Sequence, residues 1–386
     1  MEGIIEAADN KAVLFALRSK ALYLLELTEV KPSASVDITL GSSKIPKKTL
    51  AVFCTQFASI LKAGVPLVQA INILVEQAEH KQLKRILQSV SDDLQSGKGL
   101  SEALAVHEKY LPSMMIKLIE AGEMSGTLDH SLQRLALQFE KDYKLTRKIR
   151  SAMMYPIVVG ILAVIVVIFL LVFIMPKFTS LFDSMGADLP GITKFMLGLS
   201  NAVTQGWLFI LGSIILIYAA FRFYKASPTG RLQIDTIKLK MPVVKKTMTR
   251  ILAARFARTL STLTASGVSL TQSLRIGAKV VANKVAELRL LDVEEQIKRG
   301  KTLHGAIAGE TMFPNLLMHM IKIGEESGTL DQMLEKAADY FEEEAEASIG
   351  KLTALLQPIM LVFVAAIVLL IILSVMMPIF SIYNTI

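Results

Sequence analysis

The chain has 386 residues, of which 52% are hydrophobic and 20% are charged, and its formal net charge is +8. A chain this apolar can bury enough surface to offset the entropy of ordering, which excludes a disordered protein. A simple water-soluble domain is also disfavoured. Three stretches without any charged residue (151–176, 195–221 and 352–386) each exceed the ~20 residues that a membrane-spanning helix needs.

Residues 1–45 differ in composition from the rest of the chain. A strand-like segment at 4–7, a helix-like segment at 10–20 and an apolar run at 21–27 predict a small α+β unit. The segment 31–48 is rich in proline, serine and glycine and predicts a linker to the first large domain.

The remainder of the chain is a tandem duplication. Ala-Gly-Val-Pro-Leu at 63–67 returns as Ser-Gly-Val-Ser-Leu at 266–270, and Gly-Glu-Met-Ser-Gly-Thr-Leu-Asp at 122–129 returns as Gly-Glu-Glu-Ser-Gly-Thr-Leu-Asp at 324–331. The repeated unit is a helical domain followed by a membrane helix. Apolar residues spaced three and four apart predict an all-α membrane protein with two antiparallel bundles of about six helices each.

Charge predicts the topology. Basic residues cluster before the first span and after the second, so both bundles are expected in the cytoplasm, with a cytoplasmic N-terminus and a periplasmic C-terminus. The second span has no counterpart in the repeat, and it is the extra crossing that returns the chain to the cytoplasmic side between the two copies. The predicted domains are the N-terminal unit with its linker (1–45), bundle 1 (46–150), span 1 (151–176), an outer loop (177–194), span 2 (195–221), bundle 2 (222–351), span 3 (352–380) and an outer tail (381–386).

The repeated turn is the first candidate site. It is typical of a turn between helices; the alternative is that its carboxylates are presented to a partner protein. The residues concerned are Gly122, Glu123, Gly126 and Asp129 in the first copy, and Gly324, Glu325, Gly328 and Asp331 in the second.

An acidic run and two prolines are the other candidates. The run at 342–346 predicts a solvated helix face, a contact for a basic partner, or a weak calcium site formed by Glu342, Glu343 and Glu346. Pro156 and Pro358 stand at the cytoplasmic entry of the repeated spans, where each either sets the angle between bundle and membrane helix or merely starts a helix.

Several chemistries find no support in the sequence. There is no Gly-x-x-x-x-Gly-Lys-Ser/Thr loop, no Gly-x-Ser-x-Gly motif, one cysteine (Cys54), and no pair among the five histidines spaced for a metal on one helix face. No enzyme, metal or cofactor is therefore predicted.

Residues 46–150 carry 15 basic and 11 acidic side chains, and residues 225–351 carry 19 and 15. An excess of only four in each region, most of it beside the membrane, disfavours nucleic acid as a partner.

Four features together resemble a known family. They are Lys-Ile-Pro-Lys-Lys-Thr-Leu at 44–50, Phe-Cys-Thr-Gln-Phe at 53–57 leading to Leu-Lys-Ala-Gly-Val-Pro-Leu at 61–67, the doubled Gly-Glu-x-Ser-Gly-x-Leu, and the pairs Tyr155-Pro156 and Gln357-Pro358. Over residues 40–386 the chain resembles the type II secretion system F and type IV pilus assembly platform family. Members of that family usually begin with a further stretch, so the resemblance implies a truncated or misassigned start at Met1.

The resemblance implies a bacterial inner-membrane platform in a type IV pilus or type II secretion machine. Such a platform contacts a hexameric motor ATPase and other inner-membrane machine components, lies in the lipid bilayer, and guides pilin or pseudopilin subunits into a fibre. A duplicated chain in a symmetric motor favours a dimer or trimer. The alternatives are a transport or channel protein with regulatory bundles, which spans without ionisable residues disfavour, and a membrane enzyme.

Overall fold

A computed structural model of the protein describes residues 44–177 and 191–383, and all regular structure within them is helical. This confirms the all-α fold for the described residues. The α+β unit predicted at the N-terminus lies outside them, as do most of the predicted outer loop and the last three residues of the outer tail.

Bundle 1 contains six helices, and amphipathic spacing explains why they fold together. In its third helix Leu83, Ile86, Leu87, Val90 and Leu94 are buried at intervals of three and four, so one face of the helix is apolar. The helices are α1 (Lys47–Lys62), α2 (Leu67–Gln77), α3 (Lys81–Gln95), α4 (Leu100–Ala105), α5 (Ser113–Ser125) and α6 (Leu128–Phe169).

Three elements connect the two copies. A π-helical segment (Leu170–Ile174) extends α6, and α7 (Gly191–Gln205) and α8 (Trp207–Ala226) follow the part of the chain that is not described. The stretch predicted as one span at 195–221 is thus divided at Gly206. A Cβ added at this position would lie 2.6 Å from the carbonyl oxygen of Ala202, so a residue with a side chain would resist this bend.

Bundle 2 repeats the arrangement of bundle 1 and is preceded by one additional helix. Its buried Phe256, Leu274, Leu290 and Leu303 occupy the positions of Phe53, Ile71, Leu87 and Leu100 in the first copy. The additional helix is α9 (Pro228–Lys240), and the six of the bundle are α10 (Pro242–Thr264), α11 (Leu270–Val280), α12 (Lys284–Lys298), α13 (Leu303–Ile307), α14 (Asn315–Ser327) and α15 (Leu330–Tyr383).

Three helical stretches are long and apolar enough to cross a membrane: Leu128–Lys177, Trp207–Ala226 and Leu330–Ser374. The first and third also contain the last helix of each bundle. No residue of α8 is buried within the described protein, whereas Met196 of α7 packs against Leu171 and Met175 at the far end of the first stretch.

Candidate functional site: two stems joining the bundles to the membrane

The last helix of each bundle continues without interruption into the membrane. We call α6 the first stem and α15 the second stem. They have 42 and 54 residues, which at 1.5 Å per residue gives lengths of about 63 and about 81 Å. Each stem therefore links the core of a bundle directly to a membrane span.

Pro156 and Pro358 lie inside the stems, not at their beginnings. The interpretation that these prolines merely start a helix is therefore wrong. In an α-helix each carbonyl group accepts a hydrogen bond from the N–H four residues later. Proline has no N–H, so the carbonyl groups of Ala152 and Ala354 lack this bond. Both copies have this weakened position at the same place, where the stem enters its apolar segment.

The repeated turn brings each stem close to the helix before it. Gly126 and Gly328 adopt φ of 71° and 68° and end α5 and α14 in the left-handed conformation that glycine favours. At Gly122 an added Cβ would lie 2.5 Å from Ser131 Oγ, and at Gly324 it would lie 2.8 Å from the Cα of the first residue of the second stem. The first glycine of the motif thus permits a backbone approach that any side chain would obstruct.

Glu123 and Glu325 face inward and cap short helices of their own bundles. Glu123 accepts hydrogen bonds from the backbone N–H of Leu100 (2.7 Å) and of Ser101 (3.0 Å) and from Ser101 Oγ (2.6 Å). Glu325 accepts from the N–H groups of Leu303 (2.6 Å) and His304 (2.9 Å). These carboxylates satisfy the free donors at the beginnings of α4 and α13, where negative charge also opposes the helix dipole.

The pKa of Glu123 reflects this capping. Burial by itself would raise the pKa of the carboxyl, but the hydrogen bonds from Ser101 and Leu100 favour the ionised form and leave the pKa below its ordinary value. These contacts favour the structural interpretation of the motif. The two aspartates of the motif do not join the caps; Asp129 and Asp331 lie in the first turns of the stems, where they complement the helix dipoles.

The acidic run contacts the basic side of the first stem. Lys141 Nζ lies 3.0 Å from Glu342 Oε2 and 3.4 Å from Asp339 Oδ1, and Lys148 forms an ion pair with Glu346. We call these ion pairs, together with the apolar contact beneath them, the stem seam. The apolar residues of the seam are Leu145, Ile251, Ala345 and Ile349.

Arg258 of α10 adds a buried cation to the stem seam. Its side chain is 6% exposed, its Nε donates to Glu342 Oε1 at 2.9 Å, and it also pairs with Asp339. Burial alone would lower the pKa of this guanidinium, but the two carboxylates outweigh that effect and raise it. Glu343, the remaining member of the calcium alternative, is exposed. Within 44–177 and 191–383 no three His, Cys, Asp or Glu side chains are placed to share a metal ion.

Each bundle also has an ion pair between its first helix and its own stem. Lys47 pairs with Asp142 in the first copy, and Arg250 pairs with Glu344 at 2.6 Å in the second. These residues are related by the same offsets as the repeat itself, 203 and 202 positions. The pair therefore belongs to the repeated unit, whereas the stem seam joins the two units.

Sequence reasoning did not find Arg258, Asp235 or Glu294, which are the charged residues buried in or beside bundle 2. A signal for the first was present, because Arg258 lies seven and four residues after the buried apolar Ile251 and Ala254, on the same helix face. A basic residue on a buried face is expected to have an acidic partner.

An apolar groove lies between the two stems in the membrane. Its volume is about 170 Å³, and Val159, Leu162 and Val166 of the first stem face Val364 and Val368 of the second across it. At the far end, Thr193 Oγ1 donates to the carbonyl of Ser374 (2.8 Å) and Ser200 Oγ donates to that of Leu171 (2.6 Å). These hydrogen bonds join α7 to the second stem and to the π-helical extension of the first, as polar side chains commonly do between membrane helices.

Comparisons with known proteins agree with the duplication. The sequence model of the family described as "Type II secretion system (T2SS), protein F" matches residues 53–176 and 256–378, one segment for each copy. The chain is 36% identical over 388 residues to the type IV pilus assembly protein PilC of Thermus thermophilus, with 100% of this chain and 95% of the relative covered. It is 34% identical to the type IV pilus assembly protein PilC of Myxococcus xanthus, with 100% and 92% covered. It is 30% identical to the type II secretion system protein F of Vibrio cholerae, with 99% and 95% covered.

Proposed function

The chain belongs to the type II secretion system protein F family, and on that premise we propose that it is the inner-membrane assembly platform of a type IV pilus or type II secretion machine. In this role it couples a cytoplasmic, hexameric motor ATPase to the insertion of pilin or pseudopilin subunits into a fibre. Both bundles lie in the cytoplasm, and the C-terminus lies in the periplasm.

The single observation that carries this proposal is the continuity of the two stems. A helix of about 63 or about 81 Å that has one end in a bundle core transmits a displacement of that bundle to the membrane, because every backbone hydrogen bond along it resists bending. The weakened positions at Pro156 and Pro358 are the places where such a helix bends most easily.

The stem seam determines how the two bundles move. Lys141 and Lys148 hold the acidic side of the second stem against the first, so displacement of one bundle is passed to the other. The apolar groove farther along the stems suits the hydrophobic helix of a pilin or pseudopilin, since it offers only aliphatic side chains. The bundles then contact the motor, and a dimer or trimer of the chain matches the symmetry of the machine.

A charge exchange across the stem seam tests the coupling. Lys148→Glu should reduce surface pilin or secreted protein in cells that depend on this chain, because it places two carboxylates against each other. Combining it with Glu346→Lys should restore much of the loss. Lys144→Glu is the matched control, since among the residues that the structure describes Lys144 pairs with Glu140 of its own stem. If Lys148→Glu assembles fibres normally at wild-type membrane levels, the seam has no role in coupling.

A second experiment tests the partners. The tagged chain would be extracted from its native membrane in mild detergent, and the proteins that accompany it identified by mass spectrometry. Recovery of a secretion or pilus ATPase together with a pilin or pseudopilin supports the assignment, and the identity of the pilin distinguishes the two machines. Recovery of an intact, folded chain with neither partner would contradict it.

A further inference from the structure

Helix α9, between the second span and bundle 2, leaves large apolar side chains uncovered. Ile237 and Met241, the latter directly after the helix, lie on one side of it and are 55% and 49% exposed. In a helix that faced water on this side, such positions would usually be polar. The exposed side chains are therefore suited to a surface outside the described protein.

The same region carries a concentrated positive charge. Residues 222–246 contain seven basic residues and one acidic residue. The acidic residue, Asp235, is buried; it accepts from the backbone N–H of Lys284 (2.9 Å) and from Lys238 Nζ (2.8 Å), so it does not neutralise the outer surface. The basic residues are Arg222, Lys225, Arg231, Lys238, Lys240, Lys245 and Lys246.

The end of the second candidate span holds the first half of α9. Only Ser227 separates the last residue of α8 from the first residue of α9. Gly230 lies so close to Tyr224 that an added Cβ would be 2.0 Å from the Tyr224 carbonyl oxygen, and the Tyr224 hydroxyl donates to Gln233 Oε1. The beginning of α9 therefore lies within about one helix diameter, ~10 Å, of the end of the span.

The opposite side of α9 is attached to bundle 2. Asp235 caps the beginning of α12 through the N–H of Lys284, and Leu239 packs against the core of the bundle. One side of the helix is thus held by the bundle, while Ile237, Met241 and Lys240 remain outside.

We propose that α9 docks on anionic lipid headgroups of the bilayer that α8 crosses. Ile237 and Met241 enter the headgroup layer, and Arg231, Lys240 and Lys245 lie beside the lipid phosphates. This is the arrangement of an interfacial amphipathic helix with a polybasic flank. Two observations favour lipid over an acidic protein as the occupant: the direct continuity of α9 with the span, and the combination of apolar and basic side chains. The inference does not depend on the assembly role.

The test uses the full chain reconstituted in nanodiscs. One set contains phosphatidylcholine alone, and the other contains phosphatidylcholine and phosphatidylglycerol at roughly two to one. An environment-sensitive fluorophore is attached at Ile237→Cys, with Leu288→Cys on α12 as the reference position. The native Cys54 is fully buried, and burial raises the pKa of its thiol, so it stays unlabelled.

In the anionic nanodiscs, emission at position 237 should shift to the blue and be quenched by lipids that carry a spin label in the headgroup region. Emission at position 288 should not change. The triple variant Arg231→Gln, Lys240→Gln, Lys245→Gln should weaken docking by roughly fivefold for each charge removed, and high salt should have a similar effect.

The matched control removes three exposed charges from α11, from α12 and from the position directly after α12, through Lys279→Gln, Arg289→Gln and Arg299→Gln. This variant should dock like the wild type. Equal emission and quenching at position 237 in the two lipid compositions would overturn the proposal and favour an acidic protein as the partner that covers this surface. An equal loss in the control variant would also overturn it, because the effect would then reflect net charge alone.

Discussion

Replacing Glu123 with glutamine is expected to loosen α4 while the rest of bundle 1 stays folded. The glutamine is nearly isosteric, but it has no charge, and its amide nitrogen would face the N–H groups of Leu100 or Ser101 that the carboxylate now satisfies. The cap is therefore lost without creation of a cavity.

The size of the effect follows from the contacts. A hydrogen bond to a charged group contributes about 1.5–3 kcal/mol, and Glu123 accepts three. The site is partly exposed and the glutamine keeps one acceptor oxygen, so we expect a local loss of about 2 kcal/mol, which corresponds to a rise of roughly 30-fold in the opening equilibrium of α4.

Hydrogen–deuterium exchange of the full chain in nanodiscs measures this opening directly. Peptides covering α4 (100–105) should exchange faster in Glu123→Gln, and peptides covering α13 (303–307) should do so in Glu325→Gln. Glu120→Gln is the control on the same helix as Glu123, because Glu120 forms a surface ion pair with Lys117 and its replacement should change stability by less than about 0.5 kcal/mol. Unchanged exchange of α4 in Glu123→Gln would refute the capping role and restore the interpretation of the motif as a partner contact.

Other perturbations test the same structure. Gly122→Ala should destabilise the purified chain by about 1–3 kcal/mol in thermal unfolding because its methyl group would meet Ser131; Gly350→Ala, with open space around it, should stabilise by up to about 1 kcal/mol. Arg258→Met should cost about 2 kcal/mol by leaving Glu342 and Asp339 without their buried cation. Because the folded-state pKa of Glu123 is depressed, its stabilisation is present above about pH 4.3 and should disappear as pH falls through the depressed value.

Each of these perturbations has a distinct contradicting result. Equal melting temperatures for Gly122→Ala and Gly350→Ala would mean that the two helices at the turn are not in close contact. Adding Glu342→Met to Arg258→Met should recover part of the stability that the single variant loses. No recovery would mean that the two side chains do not stabilise each other. For the pH effect, exchange of α4 is compared between wild type and Glu123→Gln after correction for intrinsic rates; a difference that stays constant down to the lowest pH at which the bundle remains folded would contradict it.

The repeated turn shows which structural features local sequence patterns can predict and which they cannot. Its glycines and its position between helices follow from the chain itself, because left-handed φ and helix ends are local properties. The direction of Glu123 does not follow from the chain, since its hydrogen-bond donors are 22 and 23 residues away and reach it only when α4 packs beside α5.

The second span shows a different limit. Residues 195–221 lack charge, and hydropathy alone predicts one helix through them. The structure divides this stretch at Gly206, and Thr193 and Ser200 of α7 contact the second stem and the π-helical extension of the first. An average over a window of residues cannot detect such a contact.

The helical fold, the duplication and the three apolar spans follow from the amino-acid sequence alone, because periodicity, repeats and hydropathy are properties of neighbouring residues. The partners of the charged residues follow only from the packing of distant segments. The acidic run was open to three interpretations, and its partners Lys141 and Lys148 lie about two hundred positions earlier in the chain. Charges pair through space, so their roles became visible only when the two stems lay side by side.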